Sequence, residues 1–428
     1  MHPDSLLAAA ANVAAIWPRI SKAVEAREQQ SAETSPIDLS TSENWLIRGE
    51  LINLYKNAVQ DNLSSQHLSY PDGFNGDSGL TRALAEFFNS WFSPVIPVEV
   101  PHLAVAPGAA FALDTLLYNI CDPSDGILIS TPSWNGFDWL IDVRSSVKPI
   151  FNRLQSLDDV FSLRILDSLQ EAFDQSQTPI KALLLTNPHN PLGQAYPKDV
   201  IIAVLNFCND KQIHFISDEI YAMTRFENPD LPRPVSFTSA LQLDVQQLGC
   251  DLSRVHTIWS TSKDLGSSGL RVGCCITQGN KPLATGLALA SNTQTSSLAA
   301  IATASLLSSP VLHDLLSSNA QRLSEAYTRM TAVLKKHNIQ YIPANQTPFL
   351  FAKVAPRATT WEQEEAFGEA YKQAGVAISL GRAYHVPEGE KGWARLNFAV
   401  EPQSLVEALN RLDQVLGRRS TEMEESQE

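Results

Sequence analysis

Between residues 102 and 277 the chain returns seven times to a short apolar run. The runs cover 102–106, 126–130, 147–151, 181–186, 213–217, 255–259 and 272–277. Each is five or six residues long, the length of a buried strand and too short for a helix. Helical periodicity fills most of the gaps, as at 109–120 and 198–211. Parallel neighbours need a crossover about as long as a helix, so strands that alternate with helices imply a mostly parallel sheet covered on both faces. The expected fold class is α/β, with a mostly parallel seven-stranded sheet in a large domain.

After about residue 310 the pattern changes. A long helical stretch, 311–337, leads to strand patterns at 349–354, 376–379 and 394–399, which suggests a smaller α+β domain. The expected organisation is an N-terminal arm over 1–55, a large domain over 56–310 and a small domain over 311–417. The charged tail at 418–428 is expected to be disordered. A length of 428 residues can build more than one core. Residues 6–16 are apolar but lack a basic leader, so a short helix is expected there rather than a signal peptide. No apolar run reaches membrane-spanning length.

The formal net charge of −14 argues against nucleic acid or an anionic membrane as a partner. The five cysteines, Cys121, Cys208, Cys250, Cys274 and Cys275, show no C-x-x-C spacing. They fit reduced thiols and a cytoplasmic location. The nine histidines show no metal-ligand spacing, so no metal site is expected.

In an open α/β sheet, ligands gather beyond the carboxyl ends of the strands. The most informative segment follows the sixth run: Ser260-Thr261-Ser262-Lys263-Asp264-Leu265-Gly266-Ser267-Ser268-Gly269-Leu270-Arg271-Val272-Gly273. A lysine lies among small hydroxyls, with a glycine-rich turn after it and an arginine eight positions on. Such a lysine suits a Schiff base with an aldehyde cofactor. The hydroxyls and Arg271 suit a phosphate, and glycines let the backbone come close. Pyridoxal 5′-phosphate (PLP) combines both groups. Burial near other cations would keep the lysine amine neutral and available.

Other candidates follow other strands. Asp218, in Asp218-Glu219-Ile220-Tyr221, could pair with a pyridinium nitrogen, and Tyr221 could donate to the phenolic oxygen of the cofactor. Asn187-Pro188-His189-Asn190-Pro191-Leu192-Gly193 reads as a rigid turn that presents Asn190 to the same oxygen. Pro107-Gly108-Ala109-Ala110 opens a helix whose free N–H groups at Ala109 and Ala110 could hold a phosphate with Ser260, Ser262 and Arg271. Trp134 could stack on the cofactor ring. Arg395 sits in an apolar strand pattern, and its forked guanidinium suits the α-carboxylate of an amino acid.

Together these motifs resemble the fold-type-I, class I/II aminotransferase superfamily, over about residues 38–416. The nearest likeness is to its 1-aminocyclopropane-1-carboxylate (ACC) synthase-like branch, because Ser42-Glu43-Asn44-Trp45-Leu46 is similar to that branch's A-E-N-x-L segment. Trp134-Asn135-Gly136-Phe137-Asp138 resembles its aromatic-x-G-F-D run. The resemblance implies that Lys263 bonds PLP and moves the Cα proton, and that Asp218, Asn190 and Tyr221 hold the ring. It implies that Ser42 and Glu43 border the substrate pocket, that Arg395 binds the substrate carboxylate, and that the enzyme is a homodimer with interfacial sites. The family's tyrosine that reaches the partner's site aligns with Phe74, so a hydroxyl is missing and Tyr70 is the nearby substitute. That departure counts against ACC formation from S-adenosylmethionine. Trp45, Phe74 and Tyr384 are candidate walls for a bulky or hydrophobic side chain. Two outcomes remain open on these residues: β- or γ-elimination or replacement, as in a C–S lyase, and transamination to a 2-oxo acid. A PLP-fold regulator would need a DNA-binding domain, for which the arm is too short and too acidic.

Overall fold

In a computed structural model of the chain, residues 36–425 are described, with side chains through Gly417, together with the isolated positions Ser21 and Glu25. The helix expected at 6–16 lies outside the described residues.

The described chain enters at a two-residue strand, β1 (Ile37–Asp38). The seven apolar runs then form one sheet: β2 (Leu103–Ala106), β3 (Gly126–Ile129), β4 (Lys148–Phe151), β5 (Ile180–Thr186), β6 (His214–Asp218), β7 (Val255–Ser260) and β8 (Gly273–Ile276). Their order is β2-β8-β7-β6-β5-β3-β4. All neighbours run parallel except β8, which is antiparallel to both β2 and β7.

The alternation along β5 shows why both faces are covered. Leu183 and Leu185 pack with the helices Ile165–Gln175 and Lys198–Asp210, through Leu169, Val200 and Val204. Ala182 and Leu184 face the other way, with Leu113, Leu116 and Leu117 of the helix Ala109–Ile120. Successive side chains of a strand point to opposite faces, so a strand buried on both sides must be apolar throughout. A third cluster joins the helices Arg48–Asn62, Ser78–Trp91 and Ser297–Leu307 near β2 and β8.

Residues after 310 build a four-stranded sheet from β9 (Tyr341–Ile342), β10 (Phe349–Ala352), β12 (Ser379–Leu380) and β13 (Ala394–Asn397), in the order β12-β13-β10-β9. The helices Leu312–Lys336 and Pro402–Glu425 pack near it, in a core around Tyr327, Met330 and Leu405. The run expected as one strand at 376–379 is two. β11 (Val376–Ala377) pairs in parallel with β1, whereas β12 pairs antiparallel with β13. The chain changes sheets at Ile378, which a two-residue periodicity does not reveal. The tail expected to be disordered from 418 continues the last helix as far as Glu425. After Gly417 its sequence to Glu425 contains neither Gly nor Pro, so nothing in it breaks a helix.

Candidate active site

The carboxyl ends of β2, β3, β5, β6 and β7 open onto one cavity of about 730 Å³. Ser42, Ala109, Ala110, Trp134, Asn190, Asp218, Tyr221, Ser260, Ser262, Lys263, Arg271 and Arg395 all line it. These positions are spread over more than three hundred residues of sequence, and the strand ends bring them together.

Lys263 lies in a one-turn helix, Thr261–Asp264, capped by Ser260, whose side chain accepts from the Ser262 N–H. Its Nζ donates to the carbonyl oxygen of Ser42. Burial, and next the Arg395 charge, bring its amine down from 10.5 to about 8. The neighbouring Asp264 is wholly buried. It accepts from Trp259 Nε1 at 2.9 Å and from Thr224 Oγ1 at 2.7 Å, which ties the lysine turn to the turn after β6.

Asp218 ends β6. Burial raises its carboxyl from 3.8 to about 7. Thr186 Oγ1 approaches Oδ2 at 3.4 Å, but the buried Oδ1 has no hydrogen-bond partner. A buried acceptor without a donor is costly, so this atom is free to accept from a bound group. Tyr221 is buried beside it, held edge-on by Phe349, and its hydroxyl lies 3.0 Å from Ser42 Oγ.

Arg395 is buried and packs against the rings of Phe349 and Tyr384. Its Nη1 donates to Asn190 Oδ1 at 2.9 Å and its Nη2 to the Ser40 carbonyl at 2.5 Å, while Nε has no partner. Arginine only donates, so Oδ1 of Asn190 must face it, and the Asn190 amide N–H₂ is left for another acceptor.

At the opposite side Gly108 has φ +91°, and a Cβ there would lie 2.2 Å from Arg271 Nη2. Arg271 itself is left-handed, at φ 57°, and its guanidinium donates to the carbonyls of Ser268 and Pro107. It is thereby held next to the first turn of the helix Ala109–Ile120, whose first N–H groups have no side-chain cap. Trp134 lies against Phe137 edge-to-face, and a side chain at Gly136 would run into its ring at 2.3 Å.

Five expected positions lie elsewhere. Glu43 does not line the cavity: Oε1 accepts from Ser268 Oγ and Oε2 from Arg48 Nη2, each at 2.7 Å. Its carboxylate braces the loop behind the lysine. Tyr70 and Phe74 face solvent, 85% and 51% exposed, away from the cavity of their own chain. Trp45, a candidate wall, is 43% exposed and stacks beneath Arg48. Tyr384 is fully buried behind the cavity, where its hydroxyl donates to Ser379 Oγ. The walls are instead Phe137, Trp139 and Leu140, with Thr186, Ser268 and Ser379 as further polar lining. Phe137 and Ser268 lie inside motifs already noted, so nearness to Trp134 and Lys263 could have marked them. Nothing local to Ser379 or Trp139 would have.

A family profile described as aminotransferase class I and II matches residues 34–412. The probable aminotransferase aclI of Aspergillus oryzae is 55% identical over 410 residues, spanning 96% of this chain and 97% of that protein. The 1-aminocyclopropane-1-carboxylate synthase of Malus domestica is 28% identical over 387 residues, spanning 88% of this chain and 79% of that one. Among solved structures, the aromatic aminotransferase from Pyrococcus horikoshii superposes with a TM-score of 0.74 at 20% identity, over 93% of this chain and 99% of its own. That likeness is one of fold.

Proposed function

The chain is an enzyme of the class I and II aminotransferase family, and from that premise we propose that it is a PLP-dependent lyase. Its substrate would be an L-amino acid or amino-acid conjugate that loses a β- or γ-substituent, as in C–S cleavage. The observation that carries the reading is the charge on the cavity wall. Among the described residues lining it, the cations are Lys263, Arg271 and Arg395. Lys263 is needed as a base and Arg271 as a phosphate ligand, so Arg395 alone is left for a substrate carboxylate. The rest of the substrate-side wall is largely Phe137, Trp139 and Leu140. Such a site suits one α-carboxylate and an uncharged, bulky substituent. This chain's own lining offers no further cation for the second carboxylate of a dicarboxylic amino acceptor.

The residues fit the cofactor. Asp218 Oδ1, the buried acceptor without a donor, would take the pyridinium N–H. The Asn190 amide and the Tyr221 hydroxyl would donate to the phenolic oxygen. Backbone N–H groups at Ala109 and Ala110, with Ser260, Ser262 and Arg271, would hold the phosphate, and Trp134 would cover the ring. PLP, when bound, supplies an electron sink for the charge left at the substrate Cα. Lys263 Nζ, brought down to about 8 and so about half neutral at that pH, takes the Cα proton and hands it to the departing group. Arg395 fixes the carboxylate so that the Cα–H bond faces that nitrogen. Phe137, Trp139 and Leu140 keep water from the substituent.

Two further readings belong with this one. Leu68, Tyr70 and Phe74 are all exposed on one stretch of chain, which supports a homodimer that covers them and brings Tyr70 and Phe74 to the partner's site. Among the described residues no single helix is long and apolar enough to cross a membrane. With the five cysteines all unpaired, that supports a cytoplasmic enzyme.

Transamination is the second reading, favoured by the name of the relative from Aspergillus oryzae. The purified protein, checked for a visible cofactor band that borohydride fixes on Lys263, decides between the two. Cysteine S-conjugates offered without any 2-oxo-acid acceptor should release thiol, ammonia and a 2-oxo acid. Stoichiometric amino transfer to an added acceptor, with the substituent retained, would establish transamination instead. Full turnover by Lys263→Ala would overturn both.

A further inference from the structure

We propose that the Ser42 hydroxyl is a positioning residue for the cofactor's phenolic oxygen, acting through Tyr221. The inference rests on the cofactor site proposed above and concerns a contact between two of this chain's own side chains.

Ser42 and Tyr221 are 179 positions apart, yet Oγ and Oη lie 3.0 Å from each other, and both residues are buried. The serine backbone is tied down on every side. Lys263 Nζ donates to its own carbonyl, Arg395 Nη2 to that of Ser40, and Asn397 Nδ2 to those of Thr41 and Glu43, each at 2.9 Å in the last two cases. A backbone held this way leaves Oγ little freedom except rotation about Cα–Cβ. The tyrosine ring is fixed by its edge contact with Phe349.

Tyr221 has one hydroxyl proton. Once that proton is given to the phenolic oxygen, the contact with Ser42 persists as a hydrogen bond only if Ser42 donates. The result is a directed relay, Ser42 Oγ–H to Tyr221 Oη and Tyr221 Oη–H to the cofactor. Hydrogen bonds in series polarise one another, so the serine makes the tyrosine a stronger donor. A stronger donor stabilises negative charge on the phenolic oxygen. The pH-dependent absorption of the cofactor-loaded protein would then titrate at a lower pH.

The test is a pH titration of the visible absorption of the cofactor-loaded protein, without substrate. Ser42→Ala keeps the backbone carbonyl and removes only the hydroxyl. It should raise the midpoint by about half a pH unit, the scale of one modest hydrogen bond. Ser42→Thr should return the midpoint toward that of the unaltered protein. In a Tyr221→Phe background the alanine change should have no further effect. An unmoved midpoint in Ser42→Ala, an equal shift in Ser42→Thr, or a shift that survives in Tyr221→Phe would overturn the relay. If the unaltered protein takes up no PLP and shows no band, the cofactor reading itself fails and the relay falls with it. A normal band with an unmoved midpoint sinks the relay alone.

Discussion

Arg395 Nη1 donates to Asn190 Oδ1 at 2.9 Å, across 205 positions of the chain. The contact joins a strand of the four-stranded sheet to the turn after β5. It also decides which way the asparagine amide faces. One guanidinium thus orients the amide proposed to hold the cofactor, while its Nε remains without a partner.

Arg395→Lys keeps a charge but loses the fork. A single ammonium cannot serve Asn190, the Ser40 carbonyl and a substrate carboxylate together. Loss of a buried charged contact of this kind should lower kcat/KM by about 10²–10³-fold, mostly through KM. Steady-state kinetics with the lyase substrate would show it. A kcat loss with KM unchanged would mean that Arg395 does not hold the carboxylate.

The stability of the cofactor-free protein should depend on pH through Asp218. Burial raises its carboxyl from 3.8 to about 7. Between those values the folded protein holds a proton that the unfolded chain has lost. The contribution of Asp218 is therefore full below 3.8 and is lost as the pH rises through about 7. Melting temperatures over that window should fall more for the unaltered protein than for Asp218→Asn. Saturating PLP should remove much of the difference at neutral pH, by supplying a cation to the unpartnered oxygen.

Lys263 has the opposite sign. Burial lowers its folded value to about 8 from 10.5, so between these limits the unfolded chain binds the extra proton and stability rises with pH. In cofactor-free protein, Lys263→Met should flatten that rise. Thermal melts between pH 8 and 10.5 measure it.

Gly108→Ala should weaken PLP binding before it weakens the fold. The new Cβ would displace the Arg271 guanidinium, and φ +91° strains any side chain. A loss of roughly tenfold or more in PLP affinity is expected, the worth of one charge-assisted bond. Absorbance titration of apoprotein would give the ratio.

Asp264→Ala should destabilise the cofactor-free protein by about 2–4 kcal/mol, because Trp259 Nε1 and Thr224 Oγ1 would both lose a buried acceptor. Denaturant unfolding gives the value. Trapping by borohydride should also slow, since the lysine turn loses its tie to the turn after β6.

The sequence by itself determined the seven strands of the large sheet, the helices expected at 109–120 and 198–211 and found at Ala109–Ile120 and Lys198–Asp210, and the motifs at their ends. Those signals are local. A strand buried on both faces must be apolar along its length, and a turn that meets a phosphate must be small and rich in hydroxyls. Only the tertiary structure decided how distant pieces meet. Glu43 turns to Ser268 and Arg48 instead of the cavity. Ile378 splits one apparent strand between two sheets. Ser42 comes to Tyr221, and Arg395 to Asn190. Periodicity records which face a residue turns inward, but not which of the other inward faces it will find. That choice is made by packing between segments far apart in the chain.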